Sequence, residues 1–431
     1  MSKHMITKSP AVRVRPSSTT AIEILPLSSI DRCTAGRMLL NAVSVFTHSV
    51  KAVTRIRDAF AKALVHYYPV AGKIIEINLV GKPEVDSTGE GIWFVEANAN
   101  CSLEEVNYLE RPLMIPKEQL LPQLPPEGKP QDEILLVQVT EFTCSGFTIG
   151  ICASHMVFDS LGFAQFMKAV GEMACGLPEP TVKPVWSREE IPAPPKVLHA
   201  GPPPSFPVFK NFTMPPPSFP VFKNFTNSVI DISLDSINGI KDLYMTETGQ
   251  RSSTFDVVTA MIFKCRVRAI DLAPEAKVGV AFAASTRHLL HGVLPSVEGY
   301  YGNCGYLMGI TKSSEEINKA SLLTVMSLVQ EEKDELSTKF ADWMYGCTKS
   351  YHKVVLDYGT VVVSDWTKVG FNEVNFGWGQ PKYVFPLNDN GIIATAIYVK
   401  PPVPKIGIRL ILHCVKEEHS AVFCKELLKM V

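Results

Sequence analysis

The sequence predicts an α/β protein built in two halves, and three observations carry that reading. Strand-like apolar runs alternate with patterns of helical period in both halves of the chain. At 431 residues the chain is long for one core and comfortable for two. A proline-rich stretch separates the halves, so the expected divisions are 1–177, a linker over 178–227, and 228–431.

In the first half, AVTRIRDAFAKALVH (52–66) carries apolar residues at helical spacing, and Pro69 and Gly72 in YYPVAGK stop it. KIIEINL, GIWFVEA and ILLVQVT read as short strands, and Gly146 to Ala153 as a buried one. LGFAQFMKAVGEMACG then reads as an amphipathic helix ended by Gly176 and Pro178.

Nearly half of the prolines fall in 178–226, which excludes a regular helix or an interior strand there and suggests an extended crossover. PPPSFPVFKNFT occurs at 202–213 and again at 215–226, with Met214 between, a 13-residue tandem duplication. Two copies are too few for a solenoid, and loops tolerate such insertions. The competing readings are a proline-rich recognition segment, or packing of Phe219, Phe222 or Phe225 into a domain.

In the second half, 234–249 and 253–272 read as helices, KVGVAFAAS as a buried strand and 315–337 as one long amphipathic helix. GTVVVSDW, GIIATAIYV and KIGIRLILHCV are strand-like, and the tail from Glu417 is helical.

Bulk properties exclude several function classes. A hydrophobic content of 46% and a charged content of 20% are those of an ordinary globular protein. A net charge of −1, without a basic block or aromatic–basic stripe, argues against nucleic acid. No apolar run approaches the ~18 residues that span a bilayer. The start, MSKHMITKSP, lacks the apolar core of a secretory signal; Ser2 is not a myristoylation glycine, and no prenylation box ends the chain. The expectation is a cytosolic monomer without a membrane partner. Ten cysteines are scattered singly, the nearest two being Cys144 and Cys152, so no metal is expected and the thiols read as reduced and structural.

Chemistry enters at ICASHMVFDSLGF, where His155 and Asp159 stand four residues apart. Histidine is the side chain whose ordinary pKa suits proton exchange near neutrality, and a strand delivering it to a loop fixes a general base on a rigid scaffold. The pair alone is also compatible with a core histidine bonded to a backbone carbonyl. Three further segments add weight: NFGWG at Asn375, Phe376, Gly377, Trp378 and Gly379; AFAASTRHL, a strand ending at Arg287; and YYGN, Tyr300 to Asn303.

Together, in this order and at these distances, they resemble the plant BAHD acyl-CoA-dependent acyltransferases, whose signatures are HxxxD mid-chain and DFGWG near the end. The resemblance covers the whole chain and includes LSSIDR, YYPVAGK, GEG at 89–91 and QVTEFTCSGFTIGI. Ser154 stands where peptide-synthetase condensation domains carry a second histidine, which disfavours that class. The chain is similar to the alcohol acyltransferase branch. RPLMIPKEQLLP, VWSREEIPAPPK, STFDVVTA and PPVPKIGIRL look most like grass p-coumaroyl-CoA:monolignol transferases.

The resemblance implies a chloramphenicol-acetyltransferase-like fold. It has two α/β domains, each a mixed sheet with flanking helices, and an active-site channel between them. It implies no permanently bound cofactor, acyl-CoA as co-substrate and a small alcohol or amine as acceptor. His155 would be the general base of a ternary complex, and the indole N–H of Trp366, with Ser364, the oxyanion donor. Asp159 would point away from the chemistry and pair with Arg287. Ser253, Thr254, Ser285 and Thr286 are candidates for the CoA side. Asn375 departs from the family's Asp, and an amide keeps hydrogen bonds but leaves a partner cation uncompensated. Two alternatives stay open: an acetyl-CoA, benzoyl-CoA or N-acyl transfer in the same family, and a catalytically impaired acyl-CoA-binding protein.

Overall fold

A computed structural model gives the architecture. It describes residues 4–34, 39–76, 83–126, 128–129, 132–193, 225–347, 357–387 and 393–430, the side chains of residues 33 and 34 excepted. In chain order the first elements are strands β1 (Ile6–Lys8), β2 (Val12–Val14) and β3 (Ile24–Pro26), helix α1 (Ser29–Thr34), strand β4 (Leu39–Phe46) and helix α2 (Ala52–His66). Strands β5 (Lys73–Glu76), β6 (Pro83–Asp86) and β7 (Ile92–Ala99) follow, then α3 (Lys117–Leu120), β8 (Leu135–Glu141), β9 (Phe147–Ser154) and α4 (Ser160–Ala174). The later elements are β10 (Ser228–Ile232), α5 (Leu234–Thr248), α6 (Thr254–Ile270), β11 (Lys277–Ser285), β12 (Gly305–Ser313), α7 (Ser314–Lys319), α8 (Leu322–Asp334) and α9 (Leu336–Met344). Strands β13 (Thr360–Asp365), β14 (Tyr383–Pro386), β15 (Ala394–Val399) and β16 (Ile408–His413) precede the terminal helix α10 (Glu417–Leu428).

Two compact units form, and neither is continuous in sequence. The first joins 1–193 with 290–304 and 368–388; the second joins 194–289, 305–367 and 389–431. Chain order and compactness therefore differ. NFGWG and YYGN, expected with the C-terminal domain, belong to the first unit. The reason is strand pairing: β14 adds to the N-terminal sheet beside β4, in register from Tyr383 opposite Val45 to Pro386 opposite Ala42.

The first unit holds a seven-stranded sheet of order β1-β7-β8-β9-β4-β14, with β2 also on β7, and a small β3-β6-β5 sheet. Only β7 and β8 run parallel in the larger one. Its central strand β9 is buried on both faces, which is why its sequence is a continuous apolar run rather than an alternation. Rings at the sheet and helix faces pack closely: Phe46 stacks on Phe147 at 4.7 Å, and Phe60 of α2 meets Phe166 of α4 at 6.0 Å. The second unit holds a six-stranded mixed sheet, β10-β16-β15-β13-β11-β12, in which β11·β13 and β13·β15 are parallel.

The helix expected over 315–337 is broken. Ala320 turns extended, Ser321 caps the next helix on the Thr324 amide, and the pieces become α7, α8 and α9. The end of α7 also has a distant support. Lys264 of α6 is buried and brings its ammonium to the carbonyls of Ile317, Asn318 and Ala320, so the C-terminal acceptors of α7 are met by a cation rather than by further helix.

The expected linker is partly structured. Residues 178–193 pack within the first unit: Val185 bridges Tyr300 and Arg188 is buried in a short 3-10 turn. At its far end Phe225 is buried in the second unit, stacked on Tyr358 at 6.1 Å and edge-on to His413 at 5.2 Å. The rest of the duplication, Phe219 and Phe222 included, lies outside the described residues. The nine described cysteines are free, and Cys175 and Cys347 are exposed. No helix among the described residues is long and apolar enough to cross a membrane.

Candidate active site

His155 follows directly on β9, the strand flanked by β8 and β4, and begins a turn whose Val157 and Phe158 amides return to the Ser154 carbonyl. An interior strand is the most rigid support the sheet offers. Phe158 packs on Phe166 and Tyr301, which fixes the turn against α4.

The imidazole does not turn to Asp159. Its Nδ1 lies 3.0 Å from Oδ1 of Asn303. The Asn303 Nδ2 donates to the His155 carbonyl at 2.7 Å and to Asp31 Oδ1 at 2.8 Å. Both of those are acceptors only, so the amide nitrogen must face them and the amide oxygen must face the ring. Nδ1 therefore donates, and in the neutral ring this leaves the lone pair on Nε2. Among the described residues no hydrogen bond engages Nε2.

Asp31 is fully buried beneath this contact. One oxygen accepts from the Asn303 amide at 3.0 Å as well as from its side chain; the other accepts from Ser28 N at 2.9 Å and from Arg188 Nη1 at 2.6 Å. Arg188 is equally buried, and its Nη2 donates to the Val157 carbonyl at 2.6 Å. Burial alone would lower the Arg188 guanidinium, but Asp31, together with Tyr300 and Tyr301, raises it overall above its ordinary value.

Asp159 has a different task. It is the N-cap of α4, with Oδ1 on the Gly162 amide at 2.8 Å and Oδ2 on the Cys304 amide at 3.1 Å. Gly162 is required by close approach, since a Cβ there would lie 2.0 Å from the Tyr301 carbonyl. Two carboxylates thus hold successive amides, Asn303 and Cys304, of one segment. Arg287, the partner expected for Asp159, belongs to the second unit, where it opens a 3-10 turn, Arg287–Leu289.

Other expected residues find structural places. Trp366 follows β13 in the second unit, its backbone amide on Tyr398 O at 2.8 Å, and Ser364 pairs with Ile397 in the ladder. Ser253 caps α6 reciprocally with Asp256, and Thr254 accepts from Lys241 at 2.9 Å. Thr286 is buried after β11, which ends at Ser285. Asn375 Oδ1 accepts from the Gly377 and Gly379 amides at 2.8 and 3.0 Å. Phe376 packs on Phe46 and Trp378 on Phe147, with Arg55 over the Trp378 ring at 4.9 Å. Cys152, near the end of β9, is no nucleophile: burial pushes its thiol up to about 12.

Asn303, Asp31 and Arg188 were given no chemical role by the sequence reading, although YYGN, LSSIDR and VWSREEIP contain them. Their signal was motif membership without an assigned job.

A family model described as "Transferase family" matches residues 4–427. The chain belongs to that family, the BAHD acyltransferases. Similar BAHD proteins include acyl transferase 4 of Oryza sativa subsp. japonica, 39% identical with 96% of each chain covered. Another is myricetin 3-O-glucosyl 1,2-rhamnoside 6'-O-caffeoyltransferase AT2 of Crocosmia x crocosmiiflora, 39% identical with 98% of each covered. Among solved structures, vinorine synthase superposes with a TM-score of 0.74 at 20% identity, covering 99% of this chain and 98% of that one. F. sporotrichioides TRI101, complexed with coenzyme A and T-2, gives 0.70 at 15% identity, covering 94% and 98%. The fold is the two-domain, mixed-sheet arrangement resembling chloramphenicol acetyltransferase. The protein is an acyl-CoA-dependent acyltransferase.

Proposed function

We propose that this BAHD acyltransferase moves an aromatic acyl group, a hydroxycinnamoyl and in particular a p-coumaroyl group, from CoA to an alcohol such as a monolignol. The observation that carries the chemistry is the His155–Asn303 contact, which leaves Nε2 as an acceptor. A hydroxyl attacks a thioester poorly unless its proton leaves as the new bond forms. Nε2 takes that proton while the alcohol oxygen bonds to the thioester carbon. The C–S bond then breaks, and the proton passes to the departing thiolate. Trp366, with Ser364 as second candidate, serves the oxyanion by resemblance to the family. Ser253, Thr254, Ser285 and Thr286 are the candidates for the CoA side.

The donor class rests on the four sequence stretches that look like p-coumaroyl-CoA:monolignol transferases, and on a caffeoyltransferase among the similar proteins. The test crosses p-coumaroyl-, caffeoyl-, benzoyl- and acetyl-CoA with monolignols, simple alcohols and amines, and follows free thiol and ester product. The expected result is fastest turnover with a hydroxycinnamoyl donor and a monolignol. Preference for acetyl- or benzoyl-CoA, or for an amine, would replace the donor or acceptor. Thiol release with no combination would overturn the activity.

A further inference from the structure

Behind the His155–Asn303 contact lies a second layer that the reaction does not touch. Asp31 and Arg188 are 157 residues apart in the chain, both fully buried, and joined at 2.6 Å. Neither lies in a strand, and burying such a pair carries a desolvation cost that its own attraction only partly offsets. The surroundings are arranged to accept it. The Trp186 ring lies 3.9 Å from the Arg188 guanidinium carbon, with the Tyr301 and Tyr300 rings at 5.5 and 5.8 Å. Gly302 leaves the room: a Cβ there would lie 2.5 Å from Arg188 Nη1.

What this pair holds is the orientation of one amide. A side-chain amide has two orientations of nearly equal shape, and only its partners distinguish them. Around Asn303 the deciding partners are the His155 carbonyl and the Asp31 carboxylate, both acceptors. A reversed amide would set its oxygen against both and present NH2 to the ring. The ring would then have to accept at Nδ1 and carry its proton on Nε2, where no hydroxyl proton could be received. Of the two deciding partners, only Asp31 is a side chain, and Arg188 Nη1 donates to its other oxygen at 2.6 Å, which fixes where that carboxylate sits. The second Arg188 bond, to the Val157 carbonyl, ties the same guanidinium to the turn that carries the histidine.

We infer that the Arg188–Asp31 ion pair is a positioning device that locks the Asn303 amide and thereby holds His155 in the tautomer protonated at Nδ1. Asp31 and Arg188 are positioning residues, acting on the reaction only through Asn303. The inference rests on the reading of His155 as base, but its primary readout does not depend on activity.

The test uses the full chain with 15N-labelled histidine. Two-bond 1H–15N spectra distinguish the neutral tautomers, and the His155 signals are assigned by their loss in His155→Gln. The expected wild-type state is protonated at Nδ1 and bare at Nε2. Asp31→Asn, nearly isosteric, is expected to yield a mixed or reversed tautomer, and to lower kcat about 10- to 100-fold with KM changed less than threefold. Arg188→Lys, which keeps the charge, is expected to keep the wild-type tautomer and to stay within about tenfold in kcat. A wild-type His155 protonated at Nε2 overturns the inference, whether or not any variant folds. So does a folded Asp31→Asn protein with the wild-type tautomer. An Asp31→Asn protein whose tautomer changes while its turnover does not would uphold the positioning device and overturn the base assignment beneath it.

Discussion

Asp159 accepts the Cys304 amide at 3.1 Å across 145 residues of chain, while its other oxygen caps α4 on Gly162. Both oxygens accept from backbone amides, so the aspartate of the HxxxD motif fastens the segment that carries Asn303. An Asp159→Asn substitution offers one acceptor oxygen where two are used, and sets its NH2 against an N–H donor. The expected cost is about 1–3 kcal/mol of stability. Thermal unfolding and turnover, measured together, should show a lowered melting temperature with kcat reduced less than in His155→Ala. A stable protein with a large loss of kcat would instead place Asp159 in the chemistry.

His155→Ala should abolish acyl transfer without loss of fold. The ring is only half-buried, and β9 is held by neighbours on both sides. A positioned base contributes ~10²–10⁴ in rate. Turnover within tenfold of wild type, with an unchanged melting temperature, would remove the histidine from the mechanism.

In the NFGWG loop, Asn375 already makes the two amide contacts that an aspartate would make. Asn375→Asp therefore keeps the geometry and converts both bonds to charge-assisted ones, in a loop where Arg55 stacks on Trp378. The expected outcome is a rise of about 1–3 °C in melting temperature with kcat nearly unchanged. A fall would show that a carboxylate at 375 lacks a compensating cation.

Asp256 gives a pH-dependent prediction. Burial alone would raise its carboxyl, but the Lys333 ammonium at 2.6 Å and the Ser253 amide hold it below the usual carboxylate range. A depressed folded pKa means stability that is present above the unfolded value of about 3.9 and lost as pH falls through the folded one. Asp256→Asn should therefore be destabilised at pH 7, and the gap to wild type should narrow below about pH 4. A gap that is constant from pH 7 to pH 3 would mean that the charge contributes nothing.

Legibility in the sequence followed the range of the interaction that decides each feature. Helix α2 was readable to its ends, because its period and its Pro69 stop are local. Strand β9 was readable because burial on both faces writes a continuous apolar run. The break at Ala320 was not, because Lys264, more than fifty residues upstream, supplies the donor that meets the carbonyls at the end of α7. The place of His155 at a strand end was legible. Its orienting amide was not, since Asn303 reaches it across 148 residues, and Asp31 and Arg188 lie behind that amide on two further segments. Asp159 carries a readable cap signal, an aspartate just before a helical run, which is compatible with the ion pair expected for it.

The duplication yields the last prediction. Phe225 and Thr226 end the second copy, and both are engaged: Phe225 against Tyr358 and His413, and the Thr226 amide on Val415 O at 2.9 Å. Deleting Met214 to Thr226 removes that copy but joins Phe212 and Thr213 directly to Asn227, so the same residues stand at the same distance from β10. Loop closure changes by only ~0.6 kcal/mol per twofold change in length. The deletion protein is therefore expected to fold, to melt within a few degrees of wild type, and to keep its substrate preference. Adding Phe212→Ala to the deletion removes the ring that takes the sequence position of Phe225, and should cost about 3–5 kcal/mol as a buried Phe→Ala change does. If the deletion alone causes that loss, the second copy is needed for more than its final residues. If the added Phe212→Ala costs nothing, the contact with Tyr358 and His413 does not anchor this end of the linker.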